Sequence, residues 1–203
     1  MRRPSTRQIA TAAALLALAL GLGSAAGAQE PTRQTFVVRS ENMLPRLAVN
    51  QRVEFDLAAY AQAAPAVGDI VLFRPPRAAV MGEQRMCGRP RDVLPDRLCA
   101  RARREVADEP LRFVKRVVAV GGDRVAFRRG RVVRNGVRER RKGLVRCPIR
   151  FGCTFRGRIT VPAGHVYLAG DNRPASDDSR FWGAIPVAWV VGRYVRTVGT
   201  AGT

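Results

Sequence analysis

Only two of the 36 basic residues in this chain are lysine, Lys115 and Lys142. Arginine therefore serves almost everywhere that a positive charge is enough, and position 115 calls for something arginine cannot do. A guanidinium stays protonated under ordinary conditions, whereas a buried lysine can lose several units of pKa and act as a neutral general base. Lys115 lies within Phe113-Val114-Lys115-Arg116-Val117-Val118-Ala119-Val120, a β-branched run that reads as a strand covered on both faces. The alternative is a structural lysine that snorkels out of the sheet or pairs with a carboxylate. A base also needs a proton donor. Ser40 and Asn42 stand two apart after Thr35-Phe36-Val37-Val38-Arg39, so if that strand continues they project from one face.

The elements that must position these groups are short. Gln51–Asp56 alternates as a half-buried strand, and Val67-Gly68-Asp69 is a turn feeding a buried strand over Ile70–Phe73 that Pro75-Pro76 ends. Residues 77–110 lose periodicity and form a surface insertion. The lysine strand closes in Gly121-Gly122-Asp123. Val125–Phe127 and Arg131–Val133 then bracket an Arg-Gly turn, and Asn135-Gly136 signals a hairpin. A second, basic insertion covers 138–158, before strands at Ile159–Val161 and His165–Ala169 and a turn near Pro186–Val190. No long amphipathic helix is visible after residue 30. The body is expected to be mostly β, an antiparallel sheet folded over or closed into a barrel.

The N-terminus carries Arg2, Arg3 and Arg7, an apolar run from Ile9 to Gly23 and an Ala26-x-Ala28 site. Residues 1–28 are thus a cleavable secretory signal or, alternatively, an uncleaved membrane anchor, and 29–203 form the folded domain. Either places the body outside the cytoplasm. Four cysteines in an oxidising compartment most simply close two local loops, Cys87 with Cys99 and Cys147 with Cys153. A zinc site is the weaker alternative, because no C-x-x-C occurs and His165 is the only histidine; neither metal nor cofactor is expected. The formal charge is +20, and +17 remains without the three leader arginines. An exported protein with few aromatics and no nucleic-acid motif is expected to meet an anionic membrane surface rather than nucleic acid.

Three blocks carry a resemblance. Met43-Leu44-Pro45, then Val114-Lys115-Arg116-Val117-Val118 with Gly122-Asp123, and finally Gly170-Asp171-Asn172-Arg173-Pro174-Ala175-Ser176-Asp177-Asp178-Ser179-Arg180-Phe181-Trp182-Gly183 resemble, in this order, the bacterial signal peptidase I family. Val67-Gly68-Asp69-Ile70-Val71 looks like a fourth block. The resemblance implies a mostly β peptidase of the signal peptidase type, here with two disulfide-containing insertions. It implies removal of signal peptides after Ala-x-Ala by a serine/lysine dyad, at the periplasmic face of the inner membrane or in the periplasm, by a monomer acting on exported precursors.

The same resemblance places Lys115 on the general base, Ser176 on the serine that orients it, and Asp178 with Arg180 on a bracing charged pair that Arg116 would join. Val38, Met43, Leu47, Phe113 and Val114 fall on the walls of the substrate pockets, although each could be plain core. One departure matters most. The family pattern is Ser-x-Ser-Met-x-Pro, and this chain has Ser40-Glu41-Asn42-Met43-Leu44-Pro45, so Asn42 occupies the nucleophile's place and Ser40 that of an oxyanion donor. A carboxamide nitrogen is delocalised and forms no acyl-enzyme. On an extended strand Ser40 would lie one pleat away, roughly 6–7 Å, too far for one lysine to serve both positions. Two outcomes follow: an endopeptidase impaired by Asn42 or drafting Ser40, or an inactive pseudopeptidase that holds extended segments without cutting them.

Overall fold

The computed structural model describes residues 32–80, 85–86, 89–90, 97–102, 110–145, 147, 153 and 155–202. Its strands are β1 (Arg33–Val37), β2 (Gln51–Asp56), β3 (Ile70–Phe73), β4 (Arg85–Met86), β5 (Arg89–Pro90), β6 (Phe113–Val120), β7 (Arg124–Arg128), β8 (Arg131–Arg134), β9 (Val137–Arg138), β10 (Ile159–Thr160), β11 (His165–Ala169), β12 (Ile185–Pro186) and β13 (Val190–Thr200). The α-helices among the described residues are single turns, α1 (Arg77–Val80) and α2 (Ser179–Trp182). The mostly β expectation holds. A seven-stranded antiparallel sheet has the order β1-β2-β13-β3-β6-β11-β12, and a second sheet the order β10-β7-β8-β9.

The lysine strand is central, as its composition requires. It pairs with β3 on one side and β11 on the other, and Val117, Val118 and Ala119 are buried. Apolar side chains pack on both faces: Val118 and Ala119 with Val125, Phe127, Val132 and Phe155 under the second sheet, and Val117 with Phe73, Leu168 and Trp182. The Arg129-Gly130 and Asn135-Gly136 turns fall where the sequence places them, each with positive φ, and join β7 to β8 and β8 to β9.

Two expectations need correction. The segment after β1 does not continue as a strand beside β6: β2, β13 and β3 intervene, and Glu41–Met43 coils into a 3-10 turn. The Pro45 ring stops extended pairing, and Met43 and Leu47 turn inward to a core with Val53, Phe55 and Leu72. The other is β13, an eleven-residue strand between β2 and β3 that has no counterpart in the sequence reading. Beyond Gly192 its side chains are largely exposed, so the alternation that marks a half-buried strand is faint.

Cys147 is bonded to Cys153. Cys87 lies outside the described residues, as do 1–31. No helix among the described residues is long and apolar enough to cross a membrane.

Gly183 ties the first insertion to the body. It sits at φ +95° after α2 with its would-be Cβ overlapping the Arg101 backbone, while Ala102 N donates to Ala184 O and Ala184 N to Ala100 O. Gly183→Ala should therefore lose more than about 2 kcal/mol of stability, read as a lower urea midpoint; an unchanged midpoint would mean that this backbone approach is not needed.

Candidate active site

The site forms where β6 loses one of its neighbours. Pairing with β3 runs over Phe113–Arg116, but the β11 register ends at Ala169 opposite Arg116. Among the described residues, Phe113 to Lys115 thus pair on one side only. The chain that follows β11 turns away through Gly170-Asp171-Asn172 into a 3-10 turn over Arg173–Ala175, and it meets the turn that carries residue 42. Asn172 N donates to Asn42 O (3.0 Å) and Asn172 Nδ2 to Glu41 O (3.0 Å). A Cβ on Gly170 would overlap both Ser176 Oγ and the Asn42 carbonyl oxygen, so glycine is needed for these three segments to touch.

Lys115 is 1% exposed and its amine lies 5.8 Å from the centre of the Phe113 ring. Burial is the main reason that its pKa falls, to about 8; the Asp178 and Asp177 carboxylates oppose the fall and the Arg180 charge adds to it. Asp178 is fully buried. Burial pushes its carboxyl upward, but the Arg180 charge and hydrogen bonds, with Lys115 and Ser176, more than offset that and hold it below the ordinary value.

Asp178 is met on every side. Arg180 Nε donates to Oδ1 at 2.7 Å and Nη2 to Oδ2 at 2.9 Å, Gly170 N to Oδ2 at 3.1 Å, and Ser176 Oγ to Oδ2 at 2.8 Å. Its Oδ1 also accepts from Arg180 N, capping α2. Ser176 Oγ accepts from Gly170 N at 3.2 Å. Ser176 is therefore engaged with Asp178, the carboxylate whose charge acts on Lys115.

Arg116 does not join that pair. It is committed to Asp171, Nε to Oδ1 at 3.0 Å and Nη2 to Oδ2 at 2.7 Å, and to the carbonyl of Gly68. Alternation explains the difference: on a strand, neighbours at 115 and 116 point to opposite faces. Arg141 supplies a second guanidinium to Asp171, and the two together hold its carboxyl below the ordinary value despite burial. Asp171 and Asn172 belong to the Gly170–Gly183 block, but the sequence alone assigns neither a task. Spacing along the chain does not reveal a pairing between β6 and the segment after β11.

Ser40 caps the 3-10 turn in extended backbone conformation, and Asn42 Nδ2 donates to Ser40 Oγ at 2.6 Å. The expected pleat of separation is thus absent, because the coil brings the two side chains into contact. Of the expected pocket walls, Met43 and Leu47 are fully enclosed and Val38 nearly so, members of one core. Phe113 and Val114 remain partly exposed, at the half-paired end of β6.

The family model for signal peptidase, peptidase S26, matches residues 9–198. This chain belongs to that family. A probable signal peptidase I-1 of Synechocystis is 28% identical over 155 residues, 76% of this chain and 65% of that protein. A signal peptidase I of Leptolyngbya laminosa is 30% identical over 158 residues, 78% of this chain and 64% of that protein. This signal peptidase family member so spans just under two thirds of the length of those relatives. A solved signal peptidase I from Enterococcus faecalis is similar with a TM-score of 0.43 at 24% identity, over 64% of this chain and 97% of that one.

In this family member the depressed lysine carries a stability signature. Unfolded, the amine titrates near 10.5; folded, near 8. Below pH 8 both states are protonated and the fold bears the whole cost of a buried charge; between 8 and 10.5 only the unfolded state keeps its proton, so that cost is relieved as pH rises. Lys115→Met should stabilise the protein at pH 7, and the gain should be on the order of 3 kcal/mol smaller at pH 10.5. Thermal unfolding at both pH values checks this; a gain that grows with pH would contradict the burial.

Proposed function

We propose that this protein is an endopeptidase that removes signal peptides from exported precursors after Ala-x-Ala, with Lys115 as general base and Ser40 as the attacking hydroxyl. The observation that carries it is the enclosed Lys115, its pKa lowered to about 8, at the half-paired end of a strand in a signal peptidase family chain. An amine with a pKa near working pH is suited to take and return a proton. An extended substrate would add to the open edge beside Phe113 and Val114 as an extra strand, placing small side chains against them.

Contact between Ser40 Oγ and Asn42 Nδ2 supports an exchange of roles. Asn42 cannot attack, but a carboxamide N–H is a good donor to a developing oxyanion. Ser40 Oγ attacks the scissile carbonyl while its proton passes to Lys115. Asn42 Nδ2–H then stabilises the tetrahedral oxygen, and collapse breaks the C–N bond as the Lys115 ammonium protonates the departing amine. Water then attacks the acyl-serine ester as Lys115 takes its proton, and the C–O bond to Ser40 breaks as the Lys115 ammonium returns that proton to Ser40 Oγ. Asp178 and Arg180 fix the floor against which the lysine rests. The apolar Ile9–Gly23 run brings the domain to the exported face of the membrane, where such precursors emerge.

Full-length protein in detergent, given a precursor with an Ala-x-Ala site, tests this. Cleavage should rise with pH through about 8 and vanish in Lys115→Ala, while Lys115→Arg should do no better, since a guanidinium accepts no proton. Ser40→Ala should silence the natural protein, and Asn42→Ala should lower kcat about 100-fold or more with KM little changed. In an Asn42→Ser background Ser40→Ala should only weaken cleavage, the two positions having resumed the family's roles. Brisk cleavage that survives Ser40→Ala would overturn the nucleophile assignment. An inert natural protein that Asn42→Ser awakens would instead favour a pseudopeptidase.

A further inference from the structure

The second sheet has an outer face with no role in the site. On β7, Val125 and Phe127 are buried, so Arg124, Ala126 and Arg128 project to the other side. Register carries that side across the sheet: Arg128 lies opposite Arg131, Ala126 opposite Val133, and Val133 opposite Arg138. A groove of about 490 Å³ runs over it, lined by Arg124, Arg128, Arg158 and Asn135 above a floor of Ala126 and Val133. None of its described lining residues is acidic.

The charges on this face are held but not neutralised. Arg128 donates to the carbonyls of Phe127 and Phe155, and Arg131 to those of Glu139 and Arg141. Arg124, Arg138 and Arg158 are exposed and make no ion pair among the described residues. Like charges directly opposite on neighbouring strands, such as Arg128 and Arg131, destabilise a sheet. Elsewhere the fold spends carboxylates freely on arginines, at Asp171, Asp178 and Glu139.

We propose that this face docks on the anionic phospholipid headgroups of a bilayer. A flat sheet face with a small apolar floor and several free guanidiniums complements a plane of phosphates, and guanidinium matches phosphate geometry in a bidentate fork. Among the described residues the groove's lining has no aromatic ring on which bases could stack, which single-stranded nucleic acid would need. The apolar segment Ile9–Gly23 with its arginine flank already directs the chain to a membrane. The inference is independent of the catalytic assignment.

Vesicle co-sedimentation of the full-length protein tests it, with phosphatidylcholine vesicles compared to vesicles containing 30% phosphatidylglycerol. The apolar segment contributes to both alike and its flanking arginines add the same anionic preference to every variant, so the loss in a triple variant, not the preference itself, reports the charged face. Binding should favour the anionic vesicles and weaken in high salt. Each surface arginine is worth about five-fold in binding, so Arg124→Gln/Arg138→Gln/Arg158→Gln should reduce the preference on the order of 100-fold. Arg33→Gln/Arg52→Gln/Arg196→Gln, on the other sheet, should leave most of it. Equal losses in the two triple variants, no preference for phosphatidylglycerol, or tight oligonucleotide binding that the first triple alone abolishes would each overturn the proposal.

Discussion

The structure depends on one buried ion pair. Asp178 and Arg180 are both within 1% of complete burial, and taking two charges out of water costs several kcal/mol per ion unless every lone pair and proton is met. Here they are met. Arg180 Nη2 reaches the carbonyls of Arg173 and Ser176 besides its carboxylate, and Asp178 takes the backbone amides of Gly170 and Arg180 and the hydroxyl of Ser176. The pair thereby fixes the end of β11, the 3-10 turn after it and the start of α2 as one unit. Losing either member would leave the other charge buried alone, at about 3–5 kcal/mol.

That unit is also what allows a lysine to be enclosed. Desolvation alone would drive the Lys115 amine further down, and the carboxylates of Asp178 and Asp177 pull it back to about 8. Arg180 works against them. A net charge close to zero on the Asp178–Arg180 pair leaves the lysine with modest attraction and strong desolvation, which is the combination that yields a base usable near neutral pH. Arginine at 115 could not reach that state.

Much of this was legible in the sequence, and the reasons for the rest are specific. The strands at 51–56, 70–73, 113–120 and 165–169 are short, β-branched and bounded by Gly, Pro or Asp, so periodicity and turn chemistry agree. Lys115 stood out by composition alone. Ser40 and Asn42 were misplaced because local pattern suggested a continued strand, whereas Met43 and Leu47 are pulled into the core with Val53 and Phe55, and tertiary burial overrides strand propensity. Arg116 was misassigned for want of the partner's position: nothing in a linear reading shows that Asp171 lies against it. β13 escaped because most of its side chains face solvent.

Arg173 couples the site to the second sheet. Its guanidinium is 1% exposed, and it donates to Gly170 O at the site, to Gly130 O at the β7–β8 turn and to both oxygens of Glu139 after β9. Gly130 is pressed in turn against the Cys147 side chain, and its N–H donates to Cys153 O, so the Cys147–Cys153 bond lies against the same turn. The basic outer face and the enclosed lysine therefore belong to one hydrogen-bonded frame. A protein whose charged sheet rests on a headgroup plane would hold its open strand edge in a fixed relation to that plane. An extended peptide leaving the bilayer would then meet the edge with part of its orientational entropy already removed, and orientation of this kind lowers the cost of reaching the transition state without any new contact to the scissile bond.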